Sequence, residues 1–286
     1  MEYPLSELVL SDTGQVYHLG LHPENIAHKI ILVGDQDRVG LISQFFDTVE
    51  HQSKHREFVC HTGTYKNKRI SALSTGIGTD NIDIVINELD ALVNIDLKNR
   101  TNKSVHTALE IIRIGTCGIL QKEIPIHSWI VSTHAFGLDN VAHFYNIQFS
   151  KEELEMEKKL TKHLGLPEKI QPYFIQSSPK LTERISSSKT YNGITVTSSG
   201  FYGPQGRQLR LQNKIIDLQL KFGQFESETN VLNFEMESSA LFALGRELGH
   251  ECATICLGVA NRPNMEFSKG YQKEMEELIE YILDRV

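Results

Sequence analysis

The chain has 286 residues, with 29 Lys and Arg against 36 Asp and Glu, giving a formal net charge of −7. Its 40% hydrophobic and 23% charged content is that of a water-soluble globular fold, and the net acidity argues against nucleic acid as a partner. No apolar run reaches the ~18 residues of a membrane span, and Met1 to Leu10, with Glu2 and Glu7 and no basic start, does not read as a signal peptide, so a cytoplasmic protein with no membrane partner is expected.

Elements follow one another in a regular rhythm. Ile30 to Val33 is a short β-branched run that ends at Gly34-Asp35, where a helix opens. Ile70 to Leu73 runs into Ser74-Thr75-Gly76-Ile77-Gly78. A helix beginning near Asn81 then carries Ile82, Ile84, Val85, Ile86, Leu89, Leu92 and Val93 on one broad face. Asp96 to Thr107 is polar without apolar period and reads as an exposed loop. Ile111 to Ile114 leads to Gly115-Thr116-Cys117-Gly118, and Trp129 to Val131 leads to Ser132-Thr133-His134. Ser150 with Glu153 forms a capping box for a helix from Glu152 to Leu164. Ile194 to Val196 runs into Thr197-Ser198-Ser199-Gly200, and Leu209, Leu211, Ile215, Leu218 and Leu220 mark a further helix. A helix from Ser238 to Leu248, a strand from Cys252 to Val259 ending at Ala260-Asn261-Arg262, and a helix from Tyr271 to Leu283 complete the series. Strand, Gly-rich turn and helix in repetition is an α/β plan with a mostly parallel sheet. Ligands of such sheets collect at the carboxyl ends of the strands, where the Gly, Ser and Thr clusters fall. No linker divides the chain, so residues 1–286 are read as one domain.

Several residues bear chemistry. Arg38 lies just inside the helix that Gly34 precedes, where backbone and helix dipole favour an anion. Arg113 lies inside an apolar strand, which is costly without a carboxylate or anionic ligand as partner. Arg56, in His55-Arg56-Glu57-Phe58, is a weaker candidate. Each Arg is read either as a structural ion pair or as part of a small-anion site. Glu235-Met236-Glu237, at a strand-to-helix junction, is either a charged helix start or a carboxylate for sugar hydroxyls. Phe201-Tyr202-Gly203-Pro204-Gln205-Gly206-Arg207 is either a plain turn or an aromatic with a Gln/Arg pair for a planar base. Gln both donates and accepts, whereas Arg only donates, which suits a ring with carbonyls and one N–H. Cys60, Cys117, Cys252 and Cys256 are expected to be buried free thiols. The 12 His have no paired metal-ligand spacing.

Taken in order, Gly34-Asp35-x-Asp37-Arg38, His55-Arg56-Glu57-Phe58, Ser74-Thr75-Gly76-Ile77-Gly78, Arg113-Ile114-Gly115-Thr116-Cys117-Gly118 and Glu235-Met236-Glu237 resemble the motifs of the nucleoside phosphorylase I family. The resemblance runs from about Tyr17 to Asn264. Phe201-Tyr202-x-x-Gln205-x-Arg207 and Val16-Tyr17-His18-Leu19-Gly20-Leu21 are similar to the uridine-cleaving branch of that family.

The resemblance implies a single-domain three-layer α/β/α fold around a central mixed, mostly parallel sheet, with an insertion near 96–107. It implies reversible phosphorolysis of uridine, deoxyuridine or thymidine, with phosphate as co-substrate and no organic cofactor. Gly34, Arg38, Arg113 and Thr116 match phosphate-binding positions, and Arg56 matches a phosphate-binding Arg donated by a neighbouring subunit. His18 matches a ribose 5′-hydroxyl ligand, also from the neighbour, so a homodimer is the minimum assembly; related bacterial enzymes form hexamers. Met236 and Glu237 match ribose contacts, and Phe201, Gln205 and Arg207 match base contacts. Arg262 matches a flap residue over the base. Glu57 and Ser74 match positions of a potassium site. Thr79-Asp80 stands where many relatives carry Gly-Pro, and Gly200 near where purine-cleaving relatives carry an Asp. The alternatives are a purine nucleoside phosphorylase, a nucleosidase, and a nucleoside-binding protein without catalysis.

Overall fold

The structure, a computed structural model, describes residues 2–286. β1 (Lys29–Val33) buries Ile30 and Leu32 toward one set of helices, and Ile31 and Val33 toward the other. That alternation is why its sequence is apolar throughout. α1 (Gln36–Ser43) follows, with the Asp35 carboxylate capping it by accepting the Asp37 amide. β2 (Thr48–His55), β3 (Phe58–Tyr65) and β4 (Lys68–Ser74) form an antiparallel meander. β2 is largely exposed and carries no apolar alternation, so the sequence pattern does not reveal it. Lys66 and Asn67, at φ 48° and 64°, make the tight turn between β3 and β4.

α2 (Thr79–Asn94) buries the apolar face read from the sequence. The 96–107 segment is more ordered than an exposed loop. β5 (Ile95–Asp96) and β6 (Thr101–Asn102) pair as a small hairpin. Arg100 donates to the carbonyls of Tyr3 and Pro4, each at 2.8 Å, so the segment is tied to the N-terminal residues.

β7 (Glu110–Ile119) and β8 (Trp129–Gly137) are followed by α3 (Lys151–Leu164), whose capping box between Ser150 and Glu153 is present. Next come β9 (Tyr173–Gln176), α4 (Pro179–Ile185) and β10 (Thr190–Thr197). The helix expected from Leu209 is confined to α5 (Leu218–Gly223). Leu209 and Leu211 are exposed, and Asp217, left-handed at φ 57°, breaks the helical path just before α5. The chain ends with β11 (Val231–Glu235), α6 (Ser238–Glu247), β12 (Glu251–Asn261), β13 (Glu266–Phe267) and α7 (Gln272–Leu283).

The main sheet has the order β13-β12-β8-β10-β11-β7-β1-β4-β3-β2, with β9 on β8. β12 also pairs with β7, so β7, β11, β10, β8 and β12 close a ring. Pairing is parallel for β1–β4, β1–β7, β7–β12, β8–β10 and β10–β11. It is antiparallel in the meander, across β7–β11 and β8–β12, and at β9 and β13. The sheet is therefore mixed, with a larger antiparallel share than the strand–turn–helix rhythm suggests. Tight turns in the meander and closure of the ring account for it. α2 and α6 pack on one face, and α1, α4 and α7 on the other, giving three layers. All four cysteines are buried free thiols, and no helix among the described residues is long and apolar enough to cross a membrane.

The strand ends opposite the Gly-rich turns are pinned by charge. Glu110 accepts from Lys29 at 3.1 Å, from Lys180 at 3.0 Å, and from both terminal nitrogens of Arg184 at 2.8 and 3.0 Å. Arg184 above all, opposed by burial and seconded by Lys180 and Lys29, holds the Glu110 carboxyl far below the usual carboxylate range. A depressed carboxyl contributes stability above its unfolded pKa of ~4.3, and that contribution is lost as pH falls toward the folded value. Glu110→Gln is expected to cost about 1–2 kcal/mol at pH 7. The gap from wild type should narrow at pH 3 in urea unfolding; a gap of equal size at both pH values would refute the assignment.

Candidate active site

The Gly-rich ends of β1, β4 and β7, with the Glu235-Met236-Glu237 end of β11, surround a cavity of about 680 Å³. β7 is its spine: Arg113 stands at one end of the cavity, and Thr116, Cys117 and Gly118 continue along it. A Cβ on Gly34 would lie 3.9 Å from Arg113 Nη2 and 3.3 Å from the Gly76 carbonyl, so the β1 turn lies close against the guanidinium. A Cβ on Gly118 would lie 3.8 Å from Arg207 Nη2 and 3.5 Å from Arg262 carbons, so the same strand reaches the opposite wall.

Arg113 is 4% exposed. Its Nη2 donates to Glu237 Oε2, and Nη1 lies 3.7 Å from Glu235 Oε2. The guanidinium folds back over its own strand, which requires Gly115: a Cβ there would lie 2.1 Å from Arg113 Nη1. Burial disfavours the charge, but Glu237 and Glu235 outweigh it and hold the Arg113 pKa above its ordinary value. Nε and Nη1 are buried with no hydrogen-bond partner, the unsatisfied state that a buried guanidinium tolerates least.

Glu237 is the N-cap residue of α6, yet its side chain caps nothing. Instead Oε1 accepts the Gly78 amide at 2.7 Å. Gly78 has φ 97°, a backbone state other residues rarely adopt, and this aims its N–H at the carboxylate. Burial, only partly offset by Arg113, raises the Glu237 pKa. Met236 lies beside it on the cavity wall.

The far wall is built after β10, where a short 3-10 turn at Gly203–Gln205 turns Gln205 inward. Gln205 is buried, and its Oε1 accepts from Arg207 Nη1. Arg207 also donates to the Phe201 carbonyl at 2.7 Å and lies 3.7 Å over the Phe201 ring. Burial first, then the neighbouring Arg262 charge, push the Arg207 pKa down to about 10.

Gly34, Arg38, Arg113, Thr116, Met236, Glu237, Phe201, Gln205 and Arg207 thus line one cavity, as does Glu57. Arg262 lies behind Gly118 rather than on the lining, with Nη1 buried and unpartnered. Arg56 and His18 lie elsewhere. Arg56 is exposed at the β2–β3 turn, 5.4 Å over the Tyr17 ring. His18 Nδ1 lies 2.6 Å from Glu88 Oε1, and its carbonyl accepts from His55 Nδ1 at 2.8 Å. Asp35, Asp37, Val259, Ala260 and Phe267 also line the cavity. Asp35 and Asp37 stand inside the motif around Gly34, whereas nothing in the sequence marks Phe267, on its two-residue strand.

Glu57 and Ser74, the residues of the expected potassium site, adjoin where β4 ends. The Ser74 hydroxyl is fully buried, donates to the Glu57 carbonyl at 2.7 Å and accepts the Val59 amide at 2.7 Å. Both bonds join the end of β4 to the start of β3. Asp90, His106 and His250 form a cluster of metal-ligand type at the opposite ends of the strands. There the Leu109 amide donates to His250 Nδ1 at 3.2 Å, which leaves the ring proton on Nε2, 3.3 Å from Asp90. A protonated Nε2 facing a carboxylate is a His–Asp contact, since a metal needs that lone pair free.

Known proteins place this geometry. A family model described as the Phosphorylase superfamily matches residues 28–285. A uridine phosphorylase of Thermococcus kodakarensis is 30% identical over 271 residues, covering 92% of this chain and 84% of the relative. A DeoD-type purine nucleoside phosphorylase of Alkaliphilus metalliredigens is 28% identical, with 83% and 84% covered. The crystal structure of a Trypanosoma brucei nucleoside phosphorylase, described as having uridine phosphorylase activity, superposes with a TM-score of 0.89 at 30% identity, covering 98% of this chain and 99% of that one. With a family model spanning nearly all of the fold, the chain belongs to the phosphorylase superfamily.

Proposed function

We propose that the protein catalyses the reversible phosphorolysis of uridine to uracil and ribose 1-phosphate. The observation that carries this reading is Arg113: a buried guanidinium on the cavity lining, held by Glu237 and Glu235, whose Nε and Nη1 make no hydrogen bond. A phosphate dianion in that cavity would pair with the guanidinium charge. Gly34 and Arg38 flank the same end of the cavity, and Gln205 and Arg207 stand at the other. The relatives that carry the uridine phosphorylase name, and the solved trypanosome structure, support the same substrate.

In this reading the phosphate dianion is held by Arg38, Arg113, Thr116 and the Gly34 backbone, at the distance an attack requires. Glu237 offers roughly four lone-pair directions. The Gly78 amide and Arg113 take two, which leaves two for the ribose 2′- and 3′-hydroxyls. A phosphate oxygen forms the new bond to C1′ as the bond from C1′ to the base breaks. The electron pair passes into the uracil ring and onto its carbonyl oxygens. Gln205 and Arg207 donate to that developing charge, Phe201 packs on the ring, and a proton from solvent yields uracil. Arg56 and His18, exposed or half-buried away from the cavity, serve the site of a second copy, so the working unit is at least a homodimer. The lining runs from Gly34 to Phe267 across one sheet, which supports one domain over residues 1–286.

The test is uracil release with and without phosphate across uridine, deoxyuridine, thymidine and inosine. Turnover of uridine that depends on phosphate is expected. Base release without phosphate would make the protein a nucleosidase, and inosine turnover far above uridine would make it a purine enzyme.

A further inference from the structure

Helix α6 begins inside the cavity wall, and its first amides are satisfied in an unusual way. The helix N-cap, Glu237, keeps its carboxylate for Gly78 and Arg113. The amides of Glu237 and Ser238 are taken instead by Glu235, which accepts them at 2.9 and 3.0 Å. The amide of Ser239 is taken by Thr197 Oγ1, at 3.0 Å, from the end of the neighbouring strand β10. The same Thr197 hydroxyl donates to Glu235 Oε1 at 2.5 Å. Thr197 and Ser239 are fully buried and Glu235 is 3% exposed, so no water substitutes for any of these bonds.

One hydroxyl therefore joins the carboxylate that caps α6 to the helix that carries Glu237. We propose that Thr197 is a positioning residue: its bridge between Glu235 and the Ser239 amide relieves Glu237 of capping and fixes the Glu237–Arg113 pair for ribose and phosphate. Three features make the geometry exacting. Glu235 Oε2 lies 3.7 Å from Arg113 Nη1, so a shift of Glu235 moves the field at the guanidinium. Ser239 is anchored on its far side, with Oγ donating to Asp139 at 2.6 Å and accepting from Tyr173 at 3.0 Å, so the helix start cannot slide to restore a lost bond. Without Thr197, the Ser239 amide and one Glu235 lone pair would be buried and unpartnered. An N-cap side chain is the ordinary acceptor for such an amide, and the N-cap here is Glu237.

This inference rests on the phosphorolysis reading for its nucleoside arm, and its phosphate arm is independent of that reading. Thr197→Val removes the hydroxyl at nearly constant volume, and Thr197→Ser keeps it. Inorganic phosphate binding, measured by calorimetry, is expected to weaken about 10-fold in T197V and to recover in T197S. In turnover, kcat/KM for uridine should fall about 10- to 100-fold in T197V and that for 2′-deoxyuridine by clearly less, because the deoxynucleoside lacks one of the hydroxyls Glu237 takes. Thr197→Cys, which keeps the volume and weakens both bonds, is read in the same way should T197V fail to fold. Phosphate affinity unchanged in the folded variant, or not restored by serine, overturns the proposal. Phosphate binding that weakens as expected in a protein inactive on uridine would leave Thr197 in its role and overturn the nucleoside assignment instead.

Discussion

Arg113→Ala is expected to abolish phosphorolysis, with kcat/KM down by about 10³-fold or more, and to destabilise the fold as well. The kinetic loss follows from the removal of a whole guanidinium from the phosphate end of the cavity, where loss of a single donor commonly costs 10²–10³-fold. The stability loss follows from what is left behind. Glu235 keeps the amides of Glu237 and Ser238 and the Thr197 hydroxyl, but Glu237 keeps only the Gly78 amide. Breaking a fully buried pair costs 3–5 kcal/mol; here the cavity admits water, and about 1–3 kcal/mol is expected. The pH dependence gives a separate reading. Burial already raises the Glu237 carboxyl against the opposing pull of Arg113, and deleting Arg113 raises it further. A carboxyl whose folded pKa lies above its unfolded value contributes stability at low pH, and that contribution is lost as pH rises through the folded pKa. R113A should therefore lose stability more steeply than wild type as pH rises above the ordinary carboxylate range, and Glu237→Gln in the R113A background should flatten the slope. Chemical denaturation across that rise in pH, with initial rates at saturating phosphate, measures both effects. Retention of more than a tenth of wild-type kcat/KM would remove Arg113 from the centre of the site.

Arg113 was legible because an arginine inside Ile111-Ile112-Arg113-Ile114 has no inexpensive structural explanation. The same logic located the other cavity residues attached to Gly-rich strand ends, since a strand buried on both faces has to present its polar groups at its carboxyl end. Local capping chemistry was equally readable: Ser150 and Glu153 form the box their spacing implies. Failures occurred where tertiary contacts decide. Leu209 and Leu211 have helical spacing but nothing to pack against, and the chain there stays irregular. β2 is held by its pairing with β3 rather than by burial, so its polar sequence gave no sign of it. Phe267 reaches the cavity only because β13 folds back on β12, a contact with no local signature. Thr197 read as one of several polar residues at a strand end. Its importance appears only with the Glu235 carboxylate on one side and the Ser239 amide on the other.

Arg56→Ala and Arg113→Ala are expected to be inactive separately and to recover activity together, in a mixed assembly. Arg56 sits at φ 55° in the β2–β3 turn, and its carbonyl accepts from Gln36 Nε2 at 3.3 Å. Its neighbour Glu57 lines the cavity, but the Arg56 guanidinium is turned outward over Tyr17. At its phosphate end the chain's own cavity sets Arg38 and Arg113 among Asp35, Asp37, Glu57, Glu235 and Glu237. A further cation from outside would redress that excess of carboxylates when a dianion binds. If the Arg56 of one copy completes the site of another, a dimer of one R56A and one R113A subunit contains one site with both lesions and one with neither. Random pairing makes half the dimers mixed, so about a quarter of all sites are intact. Co-expression of the two variants from differently tagged copies, with tandem purification of the mixed species, should then raise activity from near zero to about half of wild type per mixed dimer. If Arg56 instead serves its own chain, every site in the mixed dimer carries one lesion and activity stays near zero. If Arg56 has no part in the reaction, R56A alone turns over at the wild-type rate. Half of wild-type activity in the mixed dimer with none in the R56A homodimer assigns Arg56 to its partner's phosphate; the same half with a fully active R56A homodimer excludes it.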